Sequence, residues 1–392
     1  MAIRKIKPGI YNVGVIDWDR ETFDELIPLP EGTSYNAYLV QGETKTALVD
    51  TADPEGKEEF FRNLEELGVS RIDYLVSNHT EQDHSGLIPD VLERYPEALV
   101  LTNKKCKELL QVHLVLPEEK FQVVENGEKV ELGGKTLQFF LTPWVHWPET
   151  QITFLPEEGI LFPCDFLGSH LASNEAFSKN DGRVFRAAKR YFAEIMMPFA
   201  NHVKKHLELL KTLEIRMVCP SHGPAFDDPS FILSAYDDWV NGPVRNKVLI
   251  PYVSMHGSVQ KMAQHLLNAF SREGIEAHLM NMAKTDTGDF AIELVDAATV
   301  LMGVSAMLSA PHPLMLQTAL LVNAFRPKTR FVGLFHSYGW GSRTVEIMQQ
   351  TLKAVKAEWL EPVVVRGIPR EEDLLRLDAL VKTVCAHHAQ LQ

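Results

Sequence analysis

Apolar and polar positions along the chain follow two regimes, with the change near residue 240. In the first, residues 9–17 and 36–50 alternate or run apolar as strands do, the second run ending in Ala47-Leu48-Val49-Asp50-Thr51. Residues 55–68 put Phe60, Phe61, Leu64 and Leu67 on one helical face, with Gly68 as a stop signal. A buried strand is predicted over 72–77, a helix over 87–94, a strand over 98–102 and a helix over 104–112. Residues 121–142 read as a pair of hairpins around Glu125-Asn126-Gly127 and Leu132-Gly133-Gly134. Helices over 183–196 and 201–213 precede a strand at 216–219, and a helical run from Phe231 to Val240 ends at Asn241-Gly242-Pro243. In the second regime strands and helices take turns: strands at 247–253, 276–281, 298–303, 329–335 and 362–365, and helices at 260–272, 314–324, 344–357 and 371–388. Five strands with helices between them imply a doubly wound parallel sheet. The break at 243–246 divides the chain into domains 1–244 and 245–392.

Composition narrows the class. At 392 residues two domains are expected, and 45% hydrophobic with 23% charged residues is ordinary for a globular protein. A net charge of −13 argues against nucleic acid or a membrane surface as partner. No apolar run of about 18 residues is present, so no membrane helix is expected. The N-terminal Met1-Ala2-Ile3-Arg4-Lys5 is basic but lacks the apolar stretch of a signal peptide. Cys106, Cys164, Cys219 and Cys385 form no C-x-x-C pair, which excludes an appended rubredoxin-like iron site and argues against a disulfide framework. The expectation is a reduced, cytoplasmic protein.

The chemistry concentrates in His79-Thr80-Glu81-Gln82-Asp83-His84, directly after the strand at 72–77. Four of these six residues are metal-ligand types, and alternation at a strand end lets 79, 81 and 83 converge while 84 approaches from the next turn. Mixed imidazole and carboxylate ligands suit iron or manganese, whereas zinc sites favour imidazoles and thiolates. Glu81 makes the motif H-x-E-x-D-H, not the H-x-H-x-D-H of zinc hydrolases. Three further candidates each lie just past an apolar run: His146 in Pro143-Trp144-Val145-His146, Asp165 after Gly159–Cys164, and His222 in Cys219-Pro220-Ser221-His222-Gly223.

In this order of residues the chain resembles the metallo-β-lactamase-like domain of the flavodiiron proteins (A-type flavoproteins). The resemblance implies an αββα sandwich in which His79, Glu81 and His146 hold one iron, Asp83, His84 and His222 hold the other, and Asp165 bridges.

Ligands bind doubly wound sheets at the carboxyl ends of the strands. In the second domain three such loops stand out. Ser254, Met255, His256, Gly257, Ser258 and Val259 join a strand to a helix whose N-terminal amides can cradle phosphate. The second loop, 304–313, contains Ser305, Ala306, Met307 and Leu308. The third, Ser337-Tyr338-Gly339-Trp340-Gly341, pairs aromatic covers with glycines that allow close approach. Together they read as a flavin mononucleotide (FMN) site, and the domain resembles a flavodoxin, the second half that flavodiiron proteins carry. Val259 replaces the usual phosphate-loop Thr, and 304–308 lacks the usual Ser-Pro-Thr-x-Asn. His256 is the candidate to replace the lost phosphate contact by charge.

The resemblance implies reduction of O2 to water, or of NO to N2O, at a diiron centre supplied with electrons by FMN. His170 and Tyr191, with Tyr35 behind them, are candidates for groups that give protons or hydrogen bonds to the bound gas. It also implies a head-to-tail homodimer or a dimer of dimers, and an electron donor such as rubredoxin or reduced F420. A zinc hydrolase fused to a flavodoxin, a pure electron carrier, and an F420H2 oxidase form of the same chemistry are the other readings.

Overall fold

The computed structural model describes residues 3–391. Two compact units are present: one holds the residues up to Phe192 together with Phe199–Val240, the other Ala193–Pro198 and everything from Asn241 onward.

The first unit is built on two sheets. A seven-stranded sheet runs Arg4–Lys7, Ile10–Asn12, Tyr38–Gln41, Thr46–Val49, Tyr74–Val76, Leu99–Thr102, Phe121–Val123, antiparallel at first and parallel from Thr46–Val49 onward. A five-stranded sheet runs Lys129–Glu131, Thr136–Leu141, Gln151–Leu155, Ile160–Phe162, Met217–Val218. Strand alternation sorts the core into two halves. Val40, Val49, Val76 and Leu101 point towards Leu137, Phe139, Leu155 and Phe162 of the second sheet. Their neighbours Leu39, Leu48, Leu75 and Val100 meet Phe60 and Leu64 of helix Lys57–Glu66, Val91 of Ile88–Arg94 and Leu110 of Lys104–Leu114. Because both faces are covered, these strands are apolar throughout. The result is an αββα sandwich.

Two expectations need correction here. Residues 121–142 are not two hairpins: Phe121–Val123 pairs parallel with Leu99–Thr102, and only Lys129–Glu131 and Thr136–Leu141 form a hairpin, in the other sheet. The Glu125–Gly127 turn is thus a crossing between sheets, directed by the free backbone edge of Leu99–Thr102, which takes Val124 N–H on Thr102 O at 2.9 Å. The helix expected over 183–196 spans Gly182–Tyr191 and then loosens into a wide turn at Phe192–Met196.

In the second unit the strand order is Glu276–Asn281, Arg245–Val253, Ala297–Met307, Phe331–Tyr338, with Glu358–Trp359 and Val363–Arg366 both beside the last, all parallel. Helices Ser258–Arg272 and Glu371–His388 cover one face through Val259, Met262, Leu266 and Phe270 against Leu377, Val381 and Val384. A helix at Thr287–Leu294 was not anticipated, although Asp286 caps it by accepting from the Gly288 and Asp289 amides. The 344–357 helix ends at Thr351. Part of the expected 304–313 loop is strand: Ala297–Met307 runs on and turns back to Ala310–Pro311 through Leu308 and Ser309, both at positive φ (51° and 66°). Among the described residues no helix is long and apolar enough to cross a membrane.

Candidate metal centre and flavin cleft

Strand Tyr74–Val76 hands over to an irregular stretch held by Asp50, whose carboxylate accepts from Asn78 N at 2.8 Å and Asn78 Nδ2 at 3.0 Å. His79 follows, and Glu81 is the N-cap of a one-turn helix, Gln82–Ser85. That turn changes the geometry expected from alternation. His79 and Glu81 face one spot, while Asp83 and His84, already helical, face another. The later strands deliver the rest: His146 beyond Thr136–Leu141, Asp165 beyond Ile160–Phe162, His222 beyond Met217–Val218.

The seven side chains form two trios around one carboxylate. Nε2 of His79 and of His146 both lie 3.2 Å from Glu81 Oε2, and 3.5 and 3.2 Å from Asp165 Oδ2. On the other side, Nε2 of His84 and of His222 lie 2.8 and 3.2 Å from Asp165 Oδ1, and each is 3.3 Å from an oxygen of Asp83. Each oxygen of Asp165 therefore faces a separate trio. His84 points inward with the others.

These atoms converge without bonding one another well. Both oxygens of Asp165, Oδ1 of Asp83 and Nε2 of His84 are buried and lack any hydrogen-bond partner. Buried polar atoms are seldom left so, and lone pairs aimed at a shared point are what cations between them require. Burial alone would depress the imidazoles, but the carboxylates outweigh it and push His146 up to about 9 and His222 up to about 10. Burial likewise works to raise Asp165, and the surrounding rings instead hold it well below the usual range. Four imidazoles and three carboxylates fit a pair of irons in chemistry as well as in arrangement.

Other groups orient the candidate ligands. His222 Nδ1 donates to Ser34 O at 2.7 Å, and Gly223 N donates to Ser34 Oγ at 2.8 Å. His79 Nδ1 meets the carboxylate of Glu149 at 2.7 Å, a residue that sequence reasoning missed. His170 and Tyr191 are both buried with their rings against His222, at centroid distances of 4.9 and 5.8 Å, and Thr33 Oγ1 bonds His170 Nδ1 at 2.9 Å. Burial, then the charge of His222, push the His170 ring well below its ordinary range. Neither ring lines the cavity of about 460 Å³ that opens on Glu81 and Asp83. Tyr35 does, together with Phe23, Asp24, Arg20 and Trp147.

In the second unit the three sequence-predicted loops line one cavity of about 560 Å³. Ser254, Met255, His256, Ser258, Val259, Ser305–Leu308 and Ser337–Trp340 are all in its wall, and Gly367 is an unforeseen addition. Gly257 and Gly341 are not in that wall; Gly257 instead sits at positive φ as the N-cap of helix Ser258–Arg272. No side chain caps that helix, so its first amides remain for an anion. Ser305 Oγ is buried without a partner in the same wall. Trp340, 76% exposed, stands at the rim beside Tyr338. An uncapped helix start, an orphan hydroxyl and aromatic covers fit a phosphate-bearing flat ring.

Comparison with known proteins relates the chain over nearly its whole length to one family. The family described as ODP family beta lactamase matches residues 33–223. The nitric oxide reductase of Moorella thermoacetica is 35% identical over 98% of each chain. Among solved structures, the rubredoxin oxygen:oxidoreductase of Desulfovibrio gigas superposes with a TM-score of 0.95 at 30% identity over 99% of each chain. A flavo di-iron protein of Thermotoga maritima superposes with a TM-score of 0.89 at 27% identity, covering 98% of this chain and 99% of its own. The chain belongs to the flavodiiron protein family.

Proposed function

We propose that this protein is an oxidoreductase that reduces O2 to water, NO to N2O, or both, at a pair of irons, with FMN in the second unit as the local electron source. His79, Glu81 and His146 would hold one iron, Asp83, His84 and His222 the other, with Asp165 between them. The observation that carries the reading is the placement of the two Asp165 oxygens, one towards each trio. When bound, the irons and the flavin supply the redox chemistry and a two-metal seat for a diatomic gas. The names borne by the Moorella and Desulfovibrio relatives support the two gases as substrates.

The chain's own residues supply the setting. The four imidazoles present Nε2 to the centre, and the partners of their Nδ1 atoms fix the rings of His79 and His222. The cavity over Glu81 and Asp83 is walled by Phe23, Tyr35 and Trp147 together with the charged Arg20, Asp24 and Asp53, so a gas reaches the centre past aromatic and polar groups alike. His170 and Tyr191 remain candidates to steady the ring of His222 by packing against it. Glu81 and His79 in one trio disfavour the zinc-hydrolase alternative, whose ligands would be largely imidazole.

A head-to-tail homodimer, bringing the flavin of one copy to the irons of another, fits the exposed apolar residues beside each site. Leu26 and Val112 adjoin the residues that line the metal cavity, and Met255, Met307, Leu308 and Trp340 ring the flavin cleft. A monomeric variant is expected to keep both cofactors and lose turnover; a fully active monomer at high dilution contradicts this. Rubredoxin or reduced F420 is the donor proposed, in the cytoplasm, and bleaching of the flavin by one and not the other identifies it.

The testing experiment measures anaerobic NO consumption beside O2 consumption by one prereduced sample with iron and FMN counted per chain. Fast consumption of either gas supports the reading and ranks the substrates. Loss of neither gas, with both cofactors in place, overturns it.

A further inference from the structure

We infer that Glu149 is a positioning residue that makes the two metal subsites unequal, because it gives His79 a buried, charged hydrogen-bond partner that no other ligand histidine has. This inference rests on the diiron reading above. Glu149 lies just past the turn that carries His146 and just before strand Gln151–Leu155. Its side chain is 0% exposed. One oxygen, Oε1, accepts from His79 Nδ1 at 2.7 Å, Thr80 Oγ1 at 2.6 Å and Thr80 N at 3.1 Å, and Oε2 has no partner at all. Asn103 fixes the backbone by donating from Nδ2 to Glu149 O at 2.7 Å.

The other ligand rings are treated differently. His222 Nδ1 donates to a neutral carbonyl, Ser34 O. His84 Nδ1 is buried with no partner. His146 Nδ1 has no hydrogen-bond partner among the described residues. A hydrogen bond to an ionised acceptor is roughly twice as strong as one between neutral groups. It locks the tautomer with Nε2 free and makes the ring a more basic ligand. A buried carboxylate also needs compensating positive charge, and among the described residues His79 is the ring within bonding reach of Glu149. The subsite of His79, Glu81 and His146 therefore holds its metal more tightly than the subsite of Asp83, His84 and His222. Glu149 does this without touching the metal.

The full-length protein, Glu149→Gln and Thr80→Val are loaded anaerobically with ferrous iron, and release to a ferrous-specific chelator is followed. Glu149→Gln keeps the shape and an acceptor for His79 but removes the charge. Wild type is expected to release one iron quickly and one slowly. In Glu149→Gln the slow phase accelerates about 10–100-fold while the fast phase stays, and only one of two Mössbauer doublets shifts. Thr80→Val removes another bond to the same oxygen but leaves the His79 contact. It lowers the melting temperature of the iron-free protein and leaves both release phases as in wild type. Equal acceleration of both phases in Glu149→Gln, no acceleration, or the same acceleration in Thr80→Val overturns the inference, since each would make Glu149 a support of the fold alone. A wild type that retains fewer than two irons overturns the diiron reading itself, before any variant is compared.

Discussion

Gly223 is the position where a single methyl group should damage both the fold and the metal centre. It follows His222, has φ +80°, and a Cβ built there would lie 2.2 Å from Ser169 Oγ and 2.8 Å from Ser169 O. The hydroxyl can rotate away, but the carbonyl is backbone, and its residue is tied to the same loop by Ser169 N donating to His222 O at 3.1 Å. In Gly223→Ala the left-handed conformation costs about 1–2 kcal/mol, and overpacking a close-packed interior about 1–3 kcal/mol more. The expected loss is about 2–5 kcal/mol, which lowers the melting temperature by roughly 4–20 °C for a domain of this size. Relief of the clash must move residue 223 or Ser169, and either motion shifts His222 off Asp83 and Asp165. Iron should therefore fall towards one per chain. Gly127 is the natural comparison, because its φ is +83° and nothing lies within 4 Å of its would-be Cβ. Gly127→Ala should show the conformational cost alone, about 1–2 kcal/mol, with full iron. Urea unfolding of the iron-free proteins, with iron analysis of the loaded ones, separates the two terms. Equal destabilisation by both substitutions, or two irons per chain in Gly223→Ala, refutes the reasoning.

Three further outcomes are expected. Asp165→Asn removes the carboxylate that faces both trios, so iron should be lost from both subsites and consumption of O2 and NO should drop by about 100-fold or more; retention of both irons and turnover would contradict the bridging role. His256→Ala should weaken FMN binding, with the larger loss at low salt, where an exposed charge acts on phosphate over a longer range; unchanged affinity at every salt concentration would remove His256 from the phosphate site. The second unit should lose stability in mild acid. Burial lowers His336 and His388 below the ordinary 6.5, and their neutral rings are engaged on both sides, by Val304 O and Ser342 Oγ and by Thr299 Oγ1 and Asn246 Oδ1 respectively. The unfolded chain then takes up protons first, so this stability is complete above about pH 6.5 and declines as pH falls towards the folded-state values. A flavin-release melting temperature that stays flat from pH 7.5 to 5 would contradict it.

Much of the candidate site was legible because its candidate ligands sit where local rules concentrate them. His79 to His84 crowd four ligand types into six residues after an apolar strand, and His146, Asp165 and His222 each follow a strand end. What escaped depends on pairing across long separations. Glu149, next to a turn rich in Trp and Pro, reads as a solvated turn residue; its burial comes from His79, seventy residues earlier in the chain. Phe121–Val123 has the pattern of a hairpin arm, and only the free edge of Leu99–Thr102 assigns it to the other sheet. Alternation predicted that residues 79, 81 and 83 share one spot, but the helical turn starting at Gln82 sends Asp83 to the opposite trio. The turn at Leu308-Ser309 carries none of the Gly or Asn expected at positive φ, so neither it nor the run of the preceding strand beyond residue 303 was visible. Helix Thr287–Leu294 was readable, since Asp286 is a good N-cap, but Gly288 in its first turn concealed it.

Anomalous diffraction at the iron edge, from crystals of anaerobically purified protein, bears most directly on the diiron centre. Two iron peaks are expected, one beside Nε2 of His79 and His146 and one beside Nε2 of His84 and His222, with an oxygen of Asp165 at each. A single peak, or two peaks that respond at the zinc edge and not at the iron edge, would contradict it.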